Sequence, residues 1–550
     1  MTSIDVHHET MPTPAAELDY EAIVVGAGVA GIYQIKRLTD LGINATVLEM
    51  DSDLGGTWWN NRYPGARFDS ESESYGYSWS KEVLDEWNWT ERFSPQPETL
   101  KYLNYVADKF NLRQYMQFNI RVEAMDWDDR RHTWTLHLQD GRTLTTRYAF
   151  MAVGVLSVPT LPRIAGRDDF KGDAWHPFHW PHEPVDLSDK RVGILGTGAT
   201  AIQIIPEIAK EAGRLSVLQR RPNWAAPLNN APISEEEMDD IKSRYDEIFE
   251  TCASTPGGFL HKPDKRGFWN VPREERLELW DRLYAGSGFG IWLAHFPEIF
   301  TDPKANAEFS EYIAERIRER IGDPELADKL IPKDHGFGIQ RVPLETNYFE
   351  TYKRDNVTLV DVGSDPIECI TETGIRTEGG EEHEFDVLIY ATGFDSFSGA
   401  FERINIRGTN GVVLADKWHA GPSTLYGVLT EGFPNFMMIP GPQGAATNFP
   451  RGIERSIDWS TDLVTHTRSS AKTKFDATPA GEQTWFEEVV LWYERTLLKR
   501  SKHWQTGYNS NLDGHEYGNI RYMVYNGGGP RFARFMDDDA TNGYPSVAFA

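Results

Sequence analysis

Two segments of the chain combine closely spaced glycines with a distinctive residue 23 positions later. In the first, an apolar run over residues 21–25 precedes GAGVAG, which places Gly26, Gly28 and Gly31 ahead of a helix-like stretch. Glycines at this spacing allow a tight turn, close approach of the backbone to a pyrophosphate and close packing of the next helix. Glu49, 23 residues after Gly26, is placed to accept a hydrogen bond from an adenosine ribose hydroxyl. The segment predicts a dinucleotide site; a solvated strand-end charge is the alternative for Glu49.

The second segment repeats this arrangement with a different charge. After an apolar run over residues 191–195, the loop consists of Gly196, Thr197, Gly198, Ala199, Thr200 and Ala201. Gln219 lies 23 residues after Gly196, and Arg220 and Arg221 follow it. A carboxylate there would repel a ribose 2′-phosphate, whereas arginine can hold it with charge-assisted hydrogen bonds. We therefore expect FAD at the first loop and NADP at the second; simple exposure is the alternative for the arginines.

A third motif lies just ahead of the second loop. Residues 170–181 read FKGDAWHPFHWP, a match to FxGxxxHxxxWP formed by Phe170, Gly172, His176, Trp180 and Pro181. The pattern resembles the fingerprint of Baeyer-Villiger monooxygenases, flavoenzymes that insert one oxygen atom of O2 beside a ketone carbonyl. The resemblance implies a hinge between the two cofactor domains, with no chemical step for His176. Packing within a linker is the alternative.

A second stretch, residues 55–75, carries the same resemblance. It reads GGTWWNNRYPGARFDSESESY, and the family positions present are Gly56, Trp58, Tyr63, Pro64, Gly65 and Asp69. In the family the glycines and Thr57 approach the flavin, Trp58 borders the nicotinamide, and Asp69 lies near the active centre. The resemblance therefore implies cofactor contacts for Gly56, Thr57, Trp58, Asp69 and Tyr75. Core packing is the alternative for Trp59 and Tyr63.

Residues 335–361 resemble the family segment that carries the catalytic arginine, and Arg341 occupies that position. The family forms a C4a-peroxyflavin that must stay anionic to attack a ketone, and a permanently charged guanidinium favours that anion and the oxyanion that follows. The resemblance also implies that Asp69 orients Arg341. The residue before the arginine, often lysine in the family, is Gln340, so strict preference for NADPH over NADH stays open.

Three later segments extend the resemblance. Residues 385–395 are similar to the strand and turn by which such chains return to the FAD domain. Residues 441–450 resemble a loop beside the flavin and substrate, with Ala445 and Ala446 where relatives often carry larger side chains. Trp504 lies in a segment similar to the loop that closes over NADP, which implies contact between Trp504 and that cofactor.

These motifs require an α/β fold with two Rossmann-like dinucleotide-binding domains, for FAD and NADP, and a helical insert. We expect FAD-binding segments over residues 19–158 and 385–550 and NADP-binding segments over 159–231 and 333–384. The helical subdomain covers residues 232–332. Within it, Ser234 and Glu237 form a capping box, and Gly322 ends a later stretch with helical spacing.

Composition limits the possible partners and locations. The 550 residues allow three to four domain-sized units, and 83 acidic against 56 basic residues give a net charge of -27 that would repel nucleic acid. The longest nearly apolar run, residues 288–296, is too short for membrane insertion. Residues 1–20 lack a signal-peptide pattern, and Cys252 and Cys369 have no metal-ligand or redox spacing, so a cytoplasmic protein without a metal is expected. No pattern specifies an oligomeric state.

The sequence therefore predicts NADPH- and O2-dependent oxidation of ketones to esters or lactones, with sulfides as further substrates. A flavin-containing monooxygenase that oxidises nitrogen or sulfur is an alternative, against which Trp180, Pro181 and the Arg341 segment argue. A non-catalytic flavin redox sensor is another, but it would not need Asp69 and Arg341 together. A disulfide reductase would need a redox cysteine pair, which two isolated cysteines cannot provide.

Overall fold

The computed structural model describes residues 18–550. The strands are β1 (Tyr20–Val25), β2 (Ala45–Leu48), β3 (Met116–Gln117), β4 (Val122–Asp128), β5 (Thr133–Leu138), β6 (Thr143–Met151), β7 (Asp173–Trp175), β8 (Arg191–Leu195), β9 (Arg214–Gln219), β10 (Ala226–Pro227), β11 (Leu344–Glu345), β12 (Val357–Asp361), β13 (Ile367–Thr371), β14 (Gly374–Thr377), β15 (Glu382–Glu384), β16 (Val387–Tyr390), β17 (Asn405–Arg407), β18 (Phe436–Met438), β19 (Phe475–Ala477) and β20 (Val547–Phe549). Of the residues in the signal-peptide prediction, 1–17 lie outside the described part of the chain.

The helices are distributed over the same range. They are α1 (Val29–Asp40), α2 (Thr57–Asn60), α3 (Ser72–Tyr75), α4 (Lys81–Glu86), α5 (Gln96–Lys109), α6 (Ala199–Ile208), α7 (Glu235–Ser243), α8 (Tyr245–Ser254), α9 (Arg273–Ala285), α10 (Gly290–Leu293), α11 (Pro303–Ile321), α12 (Pro324–Leu330), α13 (Tyr348–Thr351), α14 (Gly399–Glu402), α15 (Leu414–Lys417), α16 (Phe449–Ser469), α17 (Pro479–Arg495) and α18 (Gly529–Thr541). Short 3-10 helices cover Leu112–Tyr115, Arg167–Asp169, Pro177–His179, Phe268–Asn270, Pro297–Phe300, Thr409–Gly411, Leu497–Arg500 and Trp504–Thr506. In residues 18–550 no helix combines the length and the apolar character needed to cross a membrane.

The first sheet is built around β1. Its order is β17-β4-β5-β6-β1-β2-β3, with β18 also paired to β6. β1 is parallel to both β2 and β6, and Ile23 and Val24 are completely buried, as expected for a parallel strand covered on both faces. β4 and β5 add an antiparallel extension.

The second sheet is built around β8 in the same way. Its order is β12-β9-β8-β16-β7, and all of its pairs are parallel. In each sheet the central strand leads into a glycine at positive φ, 105° at Gly26 and 107° at Gly196, a region that favours glycine. α1 and α6 begin three residues after these glycines. The two predicted strand-turn-helix units are therefore present.

One predicted boundary is corrected by the strand pairing. The segment expected over residues 385–550 assigns β16 to the first unit, but β16 pairs with β8 and β7 in the second sheet. A short apolar strand carries no local signal for the sheet that it joins, because its partners are remote in sequence. We therefore propose that the chain returns to the first unit after Tyr390.

The helical insert leaves and re-enters the second unit at one place. β10 pairs with β11 in parallel, with Ala226 opposite Leu344, and α7 to α12 lie between these strands in the chain. Ser234 caps α7 by accepting a hydrogen bond from the backbone N–H of Glu237 at 3.1 Å, and Gly322 ends α11 with φ 74°. The helix start and stop expected from the sequence thus occur at the predicted residues.

Candidate active site

The first glycine-rich loop lies against Glu49 at the end of β2. Both carboxylate oxygens accept backbone hydrogen bonds, Oε2 from Ala27 N at 2.6 Å and Oε1 from Asp51 N at 2.9 Å. Burial raises the pKa of Glu49, and these two N–H groups act in the opposite direction. The carboxylate is therefore held beside the loop, and the interpretation as a solvated strand-end charge does not hold.

Two glycines form the floor of this first site. A Cβ at Gly56 would lie 3.0 Å from the Cα of Gly28, so bare backbone is presented where a pyrophosphate would approach. Thr57 begins α2 and is exposed. Trp58 is buried and donates from Nε1 to Tyr75 Oη at 2.8 Å. This hydrogen bond links α2 to α3. The bare backbone and Glu49 fit the predicted FAD.

The second glycine-rich loop has more free space around its middle glycine than the first. A Cβ at Gly198 would have no neighbour within 4 Å, which leaves room for a ligand at the start of α6. Thr197 Oγ1 donates to Arg221 O at 2.8 Å and ties the loop to the end of β9. Ala201, in the third glycine position, is completely buried. Gln219 turns away from the loop and donates to Lys329 O at 2.7 Å.

The two arginines after β9 have different surroundings. Arg221 forms an ion pair of 3.0 Å with Asp334, and its guanidinium lies 5.6 Å from the centre of the Tyr508 ring. The hydrogen bond with His335, reinforced by Arg221, lowers the pKa of Asp334 to about 2. Arg220 is exposed and donates to Ser510 Oγ at 2.7 Å, and within residues 18–550 no carboxylate pairs with it. Arg220 is therefore the arginine available to a phosphate.

Asp69 and Arg341 are brought together from distant parts of the chain. Arg341 Nη2 lies 2.6 Å from Asp69 Oδ2; the carboxylate side chain is 1% exposed and that of arginine 30%. The backbone N–H of Leu344 donates to the same oxygen at 3.2 Å. The Arg341 guanidinium also lies 5.8 Å from the centre of the Phe289 ring. The pair thus has a buried anion and a partly exposed cation.

A bridge from the second loop reaches this pair. Gln203, in the second turn of α6, accepts a hydrogen bond from Tyr63 Oη at 3.0 Å and donates to Arg67 O at 3.0 Å. Its Nε2 also lies 3.5 Å from Asp69 Oδ1. Tyr63 is buried, and burial raises its pKa to about 12. The helix that follows the second loop is therefore in direct contact with the Asp69 segment.

Trp504 lies next to a buried histidine on the same side of the molecule. Its ring stacks on Phe397 with centroids 5.7 Å apart. Burial lowers the pKa of His503 to about 3, so this side chain stays neutral beside Arg341 and Arg221. The following loop carries Ser510, the partner of Arg220. The Trp504 segment thus adjoins the second site, and closure over a cofactor stays a prediction.

Comparisons with known proteins identify relatives among the flavin-binding monooxygenases. Residues 20–230 match the FMO-like family, described as flavin-binding monooxygenase-like. The chain is 41% identical over 538 residues to the 2-oxo-Δ3-4,5,5-trimethylcyclopentenylacetyl-CoA monooxygenase of Pseudomonas putida, covering 96% of this chain and 98% of that protein. It is 36% identical to a protein named Baeyer-Villiger monooxygenase from Pseudooceanicola batsensis, covering 94% of each. A crystal structure of OTEMO in complex with FAD and NADP matches with a TM-score of 0.93 and 39% identity, covering 97% of this chain and 100% of that one.

The chain belongs to the Baeyer-Villiger monooxygenase family. The predicted family and fold class are confirmed, and the ligands of the OTEMO crystal structure are the two nucleotides expected at the glycine-rich loops. One relative has a different printed activity: the phenazine N-monooxygenase of Lysobacter antibioticus, 35% identical over 92% of this chain and 93% of that protein.

The Baeyer-Villiger fingerprint packs against the segment that follows β16. His176 is buried, accepts a hydrogen bond at Nδ1 from Phe178 N at 3.1 Å and donates from Nε2 to Gly393 O at 3.0 Å. Burial lowers the pKa of His176 to about 4, so the ring is neutral. Gly393 follows β16, the last strand of the second sheet, and Trp180 is buried in the same region. A hinge role for this segment stays a prediction.

Several functional candidates escaped the sequence analysis of this Baeyer-Villiger monooxygenase. Gln203 and Phe289 contact the Asp69–Arg341 pair, and Asp334 neutralises Arg221. Each contact joins residues at least 50 positions apart in the sequence, so no local spacing could reveal it. Of the motif residues, one group lies at the glycine-rich loops, a second at the Asp69–Arg341 pair, and the fingerprint and Trp504 belong to neither.

Proposed function

We propose that this FAD- and NADP-dependent Baeyer-Villiger monooxygenase oxidises ketones to esters or lactones, with Arg341 as the catalytic cation and Asp69 as its orienting partner. The observation that carries this assignment is the 2.6 Å contact between Arg341 and a buried Asp69. It joins the two predicted motifs, and Gln203 links the pair to the helix that follows the second loop. A buried carboxylate of this kind persists where its charge is compensated by a cation and by hydrogen bonds.

The overall reaction converts a ketone, O2, NADPH and one proton into an ester or lactone, NADP+ and water. When bound, FAD supplies the ring that takes a hydride from NADPH and then activates O2. The chain's part is electrostatic. Arg341 presents the N–H donors of its guanidinium to the negative charge that develops on the ketone oxygen.

Asp69 fixes the direction of that cation. Its Oδ2 accepts from the Arg341 guanidinium and from the Leu344 backbone, so the side chain and the backbone of one segment share a single anchor. If the Arg341 guanidinium turned toward water, the buried Asp69 carboxylate would lose the cation that balances its charge. Arg341 is therefore held near one orientation before substrate arrives, which is the pre-organisation that makes such donors effective.

For the nucleotides, we assign Glu49 with Gly26, Gly28, Gly31, Gly56 and Thr57 to FAD, and residues 196–201 with Arg220 to NADP. Arg220 is supported by its exposure and by its neutral partner Ser510. Arg221 is supported only as an indirect contributor, because Asp334 already balances its charge. The Trp504 segment closes the second site from the side of Ser510.

The test is a product analysis with purified holoenzyme, NADPH, O2 and a panel of cyclic, linear and bulky ketones. We expect ester or lactone, and a loss on the order of 10²–10³ in the rate of its formation for Arg341→Ala. Arg142→Ala, which removes an arginine whose ion pair with Asp140 is on the surface, is the matched control and should keep the wild-type rate. Ester formation by Arg341→Ala at the wild-type rate would overturn the assignment.

Oxidation of nitrogen is a second candidate, favoured by the 35% identity to the phenazine N-monooxygenase. The same assay with aromatic amines and sulfides separates the two. Products from amines alone, with no ester from any ketone, would replace the ketone assignment. Ester formation with weaker sulfide or amine oxidation would support it.

A further inference from the structure

A second pair of ionisable side chains, Glu71 and His261, begins two residues after Asp69. Glu71 follows Asp69 on the same segment, and His261 of the helical insert donates from Nε2 to Glu71 Oε1 at 2.7 Å. Both side chains are nearly enclosed, 11% exposed for Glu71 and 16% for His261. Oε2 of Glu71 is buried and lacks a hydrogen-bond partner among residues 18–550. His261 is therefore the side chain that compensates this carboxylate.

The pair is packed against a short segment of the insert that also reaches Arg341. A Cβ at Gly288 would lie 2.5 Å from Glu71 Oε1, and a Cβ at Gly290 would lie 3.5 Å from His261 Nδ1. The residue between these glycines, Phe289, has its ring centre 5.8 Å from the Arg341 guanidinium. Residues 288–290 thus contact both the Glu71–His261 pair and the Asp69–Arg341 pair.

The segment that carries His261 also supports Phe289 from the other side. Phe259, two residues before His261, packs edge-on against Phe289 with ring centroids 5.0 Å apart. Phe289 is buried. Its ring contacts with Phe259 and Trp292 both come from the insert, and the His261–Glu71 hydrogen bond fastens the insert to the Asp69 segment.

From this arrangement we infer that Glu71 and His261 are positioning residues: their hydrogen bond fastens the helical insert to the catalytic segment and thereby sets Phe289 against Arg341. The inference rests on the proposed role of Arg341. Loss of His261 would leave Glu71 buried without compensation, which drives the carboxylate toward water. Gly288 and Gly290 would lose their packing surface, and Phe289 would no longer be held at one distance from the guanidinium.

The test compares His261→Leu with His261→Gln, because glutamine can place an amide N–H near the position of Nε2. For His261→Leu we expect the KM for ketone to rise and the ester formed per NADPH to fall, each on the order of tenfold. Anaerobic flavin reduction by NADPH should stay within about twofold, since Phe289 adjoins Arg341 and not the nucleotide loops. His261→Gln should recover most of the loss. His137→Leu, which removes a surface histidine paired with Asp126, is the control without effect.

A double-mutant comparison shows whether the effect passes through Phe289. If it does, His261→Leu adds little in a Phe289→Leu background, because residues that act as a unit are not additive. Fully additive losses would overturn the inference. If His261→Leu folds poorly or loses FAD, His261→Asn replaces it with the same expected result, as asparagine is too short to donate from the Nε2 position. Wild-type KM and product yield in these variants, with Arg341→Ala still inactive, would refute the positioning role alone; an active Arg341→Ala would refute the proposed function.

Discussion

The two dinucleotide units share one backbone arrangement but carry opposite charges after the strand that follows the helix, at Glu49 in the first and Arg220 in the second. Each has a central parallel strand, a glycine near φ 105° and a helix that begins three residues later. In the first unit the next strand ends in Glu49, buried against the loop; in the second it ends in Gln219, which turns away, and in exposed Arg220. We propose that the fold supplies a general pyrophosphate site in both units, and that the residues at the strand end select the nucleotide.

The largest expected effect on stability at neutral pH comes from the third glycine position, which differs between the units. A Cβ at Gly31 would overlap the carbonyl oxygen of Gly26, whereas Ala201 already carries a Cβ at this position in the second unit. Overpacking of this kind typically costs about 1–3 kcal/mol, more than the roughly 1 kcal/mol that alanine gains over glycine in a helix. We expect Gly31→Ala to lower FAD content and melting temperature sharply.

The matched change in the second unit is Ala201→Gly. It removes a methyl group without creating an overlap and should cost about 1 kcal/mol of helix stability, with FAD retained. Flavin absorbance per protein and thermal unfolding measure both variants. Equal losses in the two would show that the loops are not specialised in the way the comparison indicates.

The next effect concerns selection of the nucleotide by Arg220. Removing a hydrogen bond to a charged group costs about 1.5–3 kcal/mol, so Arg220→Ala should raise the KM for NADPH by roughly 10- to 100-fold. The KM for NADH, which lacks the 2′-phosphate, should change little. Steady-state kinetics with both nucleotides at one saturating ketone concentration provide the measurement.

Arg221→Ala is the internal control for this prediction. Its ion pair with Asp334 is partly exposed, and such pairs contribute about 0.2–1 kcal/mol, so the KM for NADPH should rise only a few-fold. A larger effect for Arg221→Ala than for Arg220→Ala would reverse the assignment of the phosphate ligand. Similar KM values for NADPH and NADH in the wild type would remove it.

A further effect is a pH dependence of stability that arises at His176. His176 is neutral in the folded protein because burial lowers its pKa to about 4 from an ordinary 6.5. Between these values the unfolded chain binds more protons than the folded one, so stability falls as the pH falls through this window. His176→Gln, which can still donate to Gly393 O, should lose less stability between pH 6.5 and pH 4. Thermal unfolding at stepped pH tests this, and parallel curves for both proteins would contradict it.

The same histidine should matter for coordination between the units. We expect His176→Ala to lower the yield of ester per NADPH while FAD content stays close to wild type, because its hydrogen bond reaches the segment after β16 rather than the flavin loop. A variant that reduces and oxygenates normally would show His176 to be a packing residue.

Features encoded locally could be predicted from the sequence. The glycine turns, the cap at Ser234 and the helix end at Gly322 each depend on a few neighbouring residues. The Asp69–Arg341 pair was accessible only through family resemblance, because its members are far apart in the chain. The sheet that β16 joins and the contacts of Gln203 and His261 depend on tertiary packing, for which a single sequence has no periodic signal.

In the proposed reaction the two nucleotide units bring about reduction of the flavin by NADPH, and the Asp69–Arg341 pair directs oxygen to the ketone. A single-turnover experiment on Arg341→Ala with bound FAD tests it by measuring anaerobic reduction by NADPH and then ester yield after mixing with O2 and ketone. We predict reduction and O2 consumption with ester formation slower by about 10²–10³ and H2O2 released in its place. Ester formed at the wild-type rate and yield would contradict the account.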